Sequence, residues 1–201
     1  MSKIYIQGTF GAYSHLAALE IDSNAEVIPC KTFDECFSKT SSESGSRMLI
    51  PESNRITGNI GIEYLIFKHR LNIYAEHFQT IEHNLLGQSD ASLKDIKDVF
   101  SHTQGLSQCS NFIKKNNLVE HIRADTAGSA ESISKKKIKS EAAIASSLSA
   151  KIYKLKILAT NIENEKSNTT RFLIMGKDIH QPDFGDKRYI TSFLFKLKSK
   201  P

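Results

Sequence analysis

Short apolar segments alternate with helical-period segments along almost the whole chain, and that rhythm limits the possible folds more than any other feature. Ile4-Tyr5-Ile6 reads as a strand, and Tyr13 to Ile21 as a helix with Leu16, Ala17 and Leu19 inward. Strand Glu26-Val27-Ile28, helix Phe33 to Phe37 and strand Met48-Leu49-Ile50, closed by Pro51, come next. Helix Ile60 to Phe67 and a long mixed strand region from Leu71 to Leu86 complete the first series. The second series holds strand Val99-Phe100, helix Gln104 to Lys114, strand Val119 to Arg123 and helix Ala127 to Lys136. Strand Ala142 to Ala145, helix Leu148 to Tyr153 and strand Ile157-Leu158 end it. Strands separated by single helices are the pattern of parallel crossovers, so an α/β fold is expected. Two series imply two α/β lobes with mainly parallel sheets, the first over about 1–75 plus 159–180 and the second over about 76–158. Ligands in open α/β sheets bind beyond the carboxyl ends of the strands, which places the expected site in an interlobe cleft.

Composition narrows the function classes. No apolar run approaches the roughly 20 residues a membrane helix needs, and the start MSKIYIQGTF enters a strand pattern at once, so a cytoplasmic protein without membrane contact is expected. Cys30, Cys36 and Cys109 form no C-x-x-C pair and read as buried free thiols. His77 and His83 have no further ligands arranged around them, so no metal site is expected. A net charge of +5 suits an anionic partner. The basic run Lys135, Lys136, Lys137 and Lys139 reads as a solvated helix end with no interleaved aromatics, which argues against nucleic acid.

Four segments could carry chemistry. Gln7-Gly8-Thr9-Phe10-Gly11-Ala12-Tyr13-Ser14 turns from the first strand into a helix, where free N–H groups favour an anion. It is neither a dinucleotide-binding nor a Walker loop. Ser101-His102-Thr103-Gln104 makes a similar strand-to-helix turn, with Gln108 one helical turn beyond Gln104. Asp125-Thr126-Ala127-Gly128 repeats the arrangement, with Asp125 or Thr126 available as the helix cap. Asn168-Thr169-Thr170-Arg171-Phe172 leads into the apolar strand Leu173-Ile174-Met175; a hydroxyl beside a guanidinium could assist a leaving oxygen while the guanidinium holds a carboxylate.

Taken in order, these segments resemble the prephenate dehydratase family over roughly residues 3–178. The G-x-x-G-x-Y-S-x-x-A-A motif is matched from Gly8 to Ala18, and S-H-P-Q-x-x-x-Q-C from Ser101 to Cys109, with Thr103 in place of proline. Asp125 to Ala130 is similar to the family's T-A segment. Ala142 to Ala145, followed by Tyr153, Leu155, Ile157-Leu158 and Asn161-Ile162, matches its A-A-I-A…Y-x-L-x-I-L…N-I run. Asn168 to Phe172 is N-x-T-R-F. The family's P-I-E-N-S-x-x-G is altered to Pro51-Glu52-Ser53-Asn54-Arg55: Asn54 is kept, the glutamate becomes Ser53 and the serine becomes Arg55. Glu52 could restore a carboxylate, though from a position whose side chain normally points to the other face.

The resemblance implies a catalytic domain at 1–180 of two α/β lobes, an architecture also found in periplasmic binding proteins. Tyr189, Thr191, Phe193, Phe195 and Leu197 alternate over 187–201, similar to the first strand of an ACT domain whose remainder is not in the chain. The implied reaction converts prephenate to phenylpyruvate, water and CO2, with no metal or organic cofactor. Thr170 is then the expected catalytic donor. Ser14, Asn54, Ser101, Gln108, Thr126, Arg171 and Phe172 are the expected substrate contacts, Phe172 lying against the ring. A homodimer or higher homo-oligomer is expected, with L-phenylalanine as effector only where a full ACT domain is present. An arogenate-preferring enzyme and a non-catalytic two-lobe binding protein remain the alternatives.

Overall fold

The computed structural model describes residues 2–178, so the expected strand at 187–201 lies outside the described residues. Two sheets organise the chain. The first is built from β1 (Lys3–Gln7), β2 (Glu26–Cys30), β3 (Arg47–Asn54), the short β4 (Gly58–Asn59), β5 (Asn72–Thr80) and, from the far end of the chain, β11 (Thr169–Gly176). Its order is β2-β1-β3-β11-β5, with β4 paired to β3. The second sheet holds β6 (Asn84–Gly87), β7 (Asp98–Ser101), β8 (Val119–Ile122), β9 (Glu141–Ala145) and β10 (Lys156–Ala159), in the order β10-β6-β9-β7-β8.

The period-2 alternation of apolar residues decides which helix covers which face. Ile4, Ile6, Leu49 and Phe172 face α1 (Tyr13–Ile21), meeting Ala17 and Ala18. The intervening Tyr5, Met48, Ile50, Leu173 and Met175 face the opposite way, where Cys36 and Phe37 of α2 (Phe33–Ser42) and the flank of α3 (Glu63–His69) complete a second cluster. In the other sheet, Leu85, Val99, Ala142 and Ile144 pack with Leu106 of α4 (Thr103–Gln108) and Ile113 of α5 (Ser110–Lys115). Leu86, Phe100, Ala143 and Ala145 pack with Ala130 and Ile133 of α6 (Thr126–Lys136) and Ala150 of α7 (Ser147–Tyr153). Each sheet is thereby covered on both faces.

Several expectations are revised. Leu16 and Leu19 are only half-buried; the small Ala17 and Ala18 are the inward residues of α1. The expected helix from Gln104 to Lys114 breaks at Cys109 into α4 and α5. Strand β3 does not stop at Pro51 but runs on to Asn54. Its parallel neighbour β1 pairs with it only as far as Leu49, so the missing proline N–H breaks no ladder bond on that side.

The sheets are mixed rather than mainly parallel. Strands β1, β2 and β3 run parallel, as do β7, β8 and β9. In contrast, β11 is antiparallel to both β3 and β5, and β6 is antiparallel to β9 and β10. The antiparallel strands are those that adjoin the two crossings between sheets, where the chain enters from the other lobe instead of returning over a helix. Those crossings lie at 81–83 and 160–168, a few residues beyond the expected seams, because β5 extends to Thr80 and β11 begins at Thr169. No helix among the described residues is long and apolar enough to cross a membrane.

Candidate functional site

The carboxyl ends of β1 and β3 meet those of β7, β8 and β9 across the junction of the lobes. The turn after β1 is docked onto the start of α7. Ser146 Oγ and Ser149 Oγ both donate to the Gly11 carbonyl, at 2.6 and 2.9 Å, and Tyr153 Oη donates to the Phe10 carbonyl at 2.7 Å. Gly11 has φ +88°, and a β-carbon there would lie 2.6 Å from Ser149 Oγ, so both the backbone turn and the close approach require glycine. A cleft of about 310 Å³ between the lobes is lined by Tyr13, Gln79, Thr80, Glu82, Ser146 and Ser147. A hollow of about 350 Å³, lined by Gly45, Arg47, Tyr74 and Asp178, lies at the opposite end of the first sheet, away from these turns.

Thr170 sits at the start of β11, across from Asn54 on β3 and Gln79 on β5. A hydrogen-bonded series of side chains surrounds it. Asn54 Oδ1 accepts from the backbone N–H groups of Ile56 and Thr57, at 2.9 and 3.1 Å, which fixes the orientation of its amide. Asn54 Nδ2 must therefore donate, and it does so to Thr170 Oγ1 and to Asn168 Oδ1, both at 2.8 Å. The other end of that amide, Asn168 Nδ2, donates to Gln108 Oε1 at 3.0 Å. The same Gln108 oxygen lies 2.9 Å from His83 Nε2, and His83 Nδ1 lies 2.8 Å from Tyr13 Oη. Burial lowers the His83 pKa and raises that of Tyr13 well above its usual value, so both are neutral at pH 7.

Gln108 Oε1 can only accept, so His83 carries its proton on Nε2, and the Tyr13 hydroxyl has both His83 Nδ1 and the Glu82 carbonyl within reach, each at 2.8 Å. Thr170 Oγ1 accepts from Asn54, while its own O–H makes no hydrogen bond among the described residues. The chain of bonds thus ends at Thr170 with one hydroxyl proton uncommitted, in a residue 8% exposed.

The expected site residues divide. Asn54, Gln108 and Thr170 are brought together. Ser14, in the first turn of α1, adjoins Tyr13 and makes no side-chain hydrogen bond among the described residues. Thr126 begins α6, whose cap is Asp125: its Oδ1 accepts from Gly128 N at 2.5 Å. A β-carbon on Gly105 would lie 2.7 Å from Ser101 Oγ and 3.5 Å from Thr126 Cγ2, so these two turns adjoin at one end of the second sheet.

Three expected contacts are placed otherwise. Ser101 is 0% exposed and its hydroxyl donates to the Ile144 carbonyl at 2.7 Å, joining β7 to β9 under α4 instead of facing a ligand. Phe172 is 2% exposed in the core beneath α1, a consequence of the strand alternation that also buries Ile4 and Leu49. Arg171 points to the opposite face of β11 from Thr170, where Nε donates to Glu76 Oε2 at 2.7 Å and Nη1 to Glu52 Oε2 at 3.2 Å. Its charge is met by two carboxylates of its own sheet.

The altered Pro51–Arg55 segment explains that pairing. Arg171 is in register with Ser53 and Phe172 with Pro51, so Glu52 is the extra residue of a β-bulge. A bulge re-aims the side chain it carries. Glu52 is turned toward Arg171, and Ser53 Oγ donates to the same carboxylate oxygen at 2.6 Å. The bulge thus brings a carboxylate from 52 to the Arg171 face of the sheet, where strict alternation would have sent it to the other side.

Asn168, 1% exposed, and His83, 3% exposed, join the series although neither was among the contacts expected from the sequence. Asn168 had a legible signal: two positions before Thr170 along a strand, it shares that residue's face, whereas Arg171 does not.

Comparison with known proteins identifies the family and the fold. The family model described as prephenate dehydratase matches residues 4–180. The chain is 39% identical over 202 residues to Arogenate dehydratase/prephenate dehydratase 1, chloroplastic, of Arabidopsis thaliana, covering 99% of the chain and 51% of that protein. It is 37% identical over 200 residues to Arogenate dehydratase 2 of Petunia hybrida, covering 99% and 50%. The prephenate dehydratase structure from Staphylococcus aureus superposes with a TM-score of 0.77 at 26% identity, covering 90% of this chain and 67% of that one. The chain spans about half the length of these two plant relatives. By the extent of the family match and the order in which its motifs line the interlobe junction, this chain belongs to the prephenate dehydratase family.

Proposed function

We propose that the chain catalyses the decarboxylative dehydration of prephenate to phenylpyruvate, water and CO2, with Thr170 as the hydrogen-bond donor to the departing hydroxyl. The observation that carries this reading is the uncommitted Thr170 proton at the end of the side-chain series. In the reaction the bond from the ring to its carboxylate breaks and releases CO2. The electron pair moves through the ring, and the C–O bond at the 4-position breaks with its pair on oxygen. One proton is consumed in making water, and aromatisation drives the step. A threonine hydroxyl is too weak an acid to ionise, so it stabilises negative charge developing on the leaving oxygen, and solvent makes good the proton. Holding the ring against that donor supplies the remainder.

Gln108 contributes a second donor, since its Oε1 is held inward by Asn168 and its Nε2 points away from that contact. With Arg171 paired to Glu52 and Glu76, the two substrate carboxylates fall to Ser14, Thr126 and the N–H groups opening α1 and α6. The plant relatives' names favour arogenate as the second substrate to try. A cytoplasmic setting belongs to the proposal, supported by Cys30, Cys36 and Cys109, all buried and free. So does a homo-oligomer, supported by the edge of β5, which no further strand pairs among the described residues and where Ile73 and Phe78 stand exposed.

The test is to incubate the protein with prephenate and, separately, with arogenate, following aromatic product by ultraviolet absorbance. Turnover of prephenate is expected. Turnover of neither compound refutes the proposal, and a strong preference for arogenate moves it to the amino-acid substrate.

A further inference from the structure

We propose that His83, which adjoins the first crossing between the lobes, is a positioning residue for the reaction: through Gln108, Asn168 and Asn54 it holds the Thr170 hydroxyl in its donating orientation. This rests on the reading of Thr170 as donor.

His83 is fixed from several sides. Its backbone N–H donates to Glu163 Oε2 at 2.8 Å, and its carbonyl accepts from Ile162 N at 3.0 Å, tying the first crossing to the second. Its ring stands edge-on to Tyr13, 5.6 Å between centroids, and Nδ1 meets the Tyr13 hydroxyl. Such a ring cannot turn over without losing a partner, so Nε2–H is aimed at Gln108 Oε1.

Two donors then converge on one oxygen, His83 Nε2–H and Asn168 Nδ2–H, and they keep the Gln108 amide from rotating. Asn168 is almost wholly buried and cannot trade a lost acceptor for bulk water. If Gln108 swings away, the Asn168 amide is left to reorient, and Asn54 Nδ2 loses its bond to Asn168, the side-chain restraint that supplements the two backbone N–H groups on Oδ1 in holding the amide against Thr170. The series joins residues 13, 83, 108, 168, 54 and 170, so the donor in the first lobe is held by a side chain of the second.

Replacement separates the two ring nitrogens. Gln can present an amide N–H near the place of Nε2, whereas Asn reaches only the place of Nδ1. His83→Leu is expected to lower kcat roughly 10- to 100-fold, the size of effect that misplacing a reacting group produces, with KM moving by less than about threefold. His83→Gln is expected to restore at least half of the lost rate, and His83→Asn to restore little. In a Thr170→Ala background, His83→Leu is expected to cost no further rate, because both changes remove the same interaction. Equal further loss in that background, or equal rates for the Gln and Asn variants, would overturn the proposal. Where His83→Leu does not fold, the Gln and Asn pair decides. A crippled Thr170→Ala beside an undiminished His83→Leu refutes the role of His83 alone; wild-type turnover by Thr170→Ala refutes the donor itself.

Discussion

The two faces of β11 carry neighbouring residues to opposite fates. Thr170 enters a neutral network in which the Asn54 amide is anchored by two backbone N–H groups and the Thr170 hydroxyl proton has no acceptor among the described residues. Arg171, one residue on, enters a charged cluster in which Glu52 and Glu76 answer its guanidinium, all three groups at most about a third exposed. Adjacency in a motif is therefore no guide to a shared site, because a strand sends successive side chains to opposite sides. The first face leaves a hydroxyl donor available, and the second holds β3, β11 and β5 together.

The sharpest break in that contrast is Asn54→Asp. The change is nearly isosteric but turns the donor facing Thr170 into an acceptor, so Thr170 gives its proton to the new carboxylate. Turnover should fall on the order of 100-fold, the usual loss for one positioned donor. Steady-state kinetics with prephenate checks this, and turnover within a few-fold of wild type would separate Asn54 from the mechanism.

On the other face, Arg171→Met should lower stability by about 1–3 kcal/mol, since it leaves two half-buried carboxylates without their cation. Adding Glu52→Gln and Glu76→Gln to that variant should restore most of the loss in urea unfolding. A rise in KM with unchanged unfolding would instead return Arg171 to the substrate.

Ser101→Ala should cost about 1 kcal/mol through the lost bond to the Ile144 carbonyl. KM should stay near wild type; a raised KM with unchanged stability would show a hydroxyl that does reach the ligand.

The smallest expected effect is on the pH dependence of stability. Burial is the leading cause lowering the pKa of both His15 and His83, the former with Nδ1 accepting from Gly11 N at 3.0 Å. Near pH 6.5 the unfolded chain takes up protons at these two positions that the folded chain refuses. Their contribution is therefore complete above that pH and declines as pH falls below it. Urea midpoints between pH 7.5 and 5.5 should slope less in His15→Asn/His83→Gln than in wild type, and an unchanged slope would exclude them as its source.

Most elements were legible because each follows from local pattern: Ile4 and Ile6 against Tyr5, or Leu49 between Met48 and Ile50, already separate the two faces of the first sheet. Strand direction was not. The antiparallel placing of β11 and β6 depends on pairings between residues as far apart as Arg47 and Gly176, and nothing within either strand encodes it. The same limit hid Glu52, whose direction is set by a bulge that exists only once β11 pairs with β3. It also hid His83, a solitary histidine by sequence, whose partners lie at 13 and 108. Thr170 could be singled out because its motif is local. Asn168 could have been found the same way, by applying the strand period to the motif rather than reading it as a row of neighbours.

The most direct test compares single-turnover rates on prephenate for the wild type, Thr170→Val and Thr170→Ser. The valine keeps the branched shape without the hydroxyl, and the serine keeps the hydroxyl without the methyl. A loss of about 100-fold or more in Thr170→Val, with Thr170→Ser within about tenfold of wild type, is the expected result. Equal rates for the valine and serine variants would show that the hydroxyl proton of residue 170 plays no part in the departure of the leaving group.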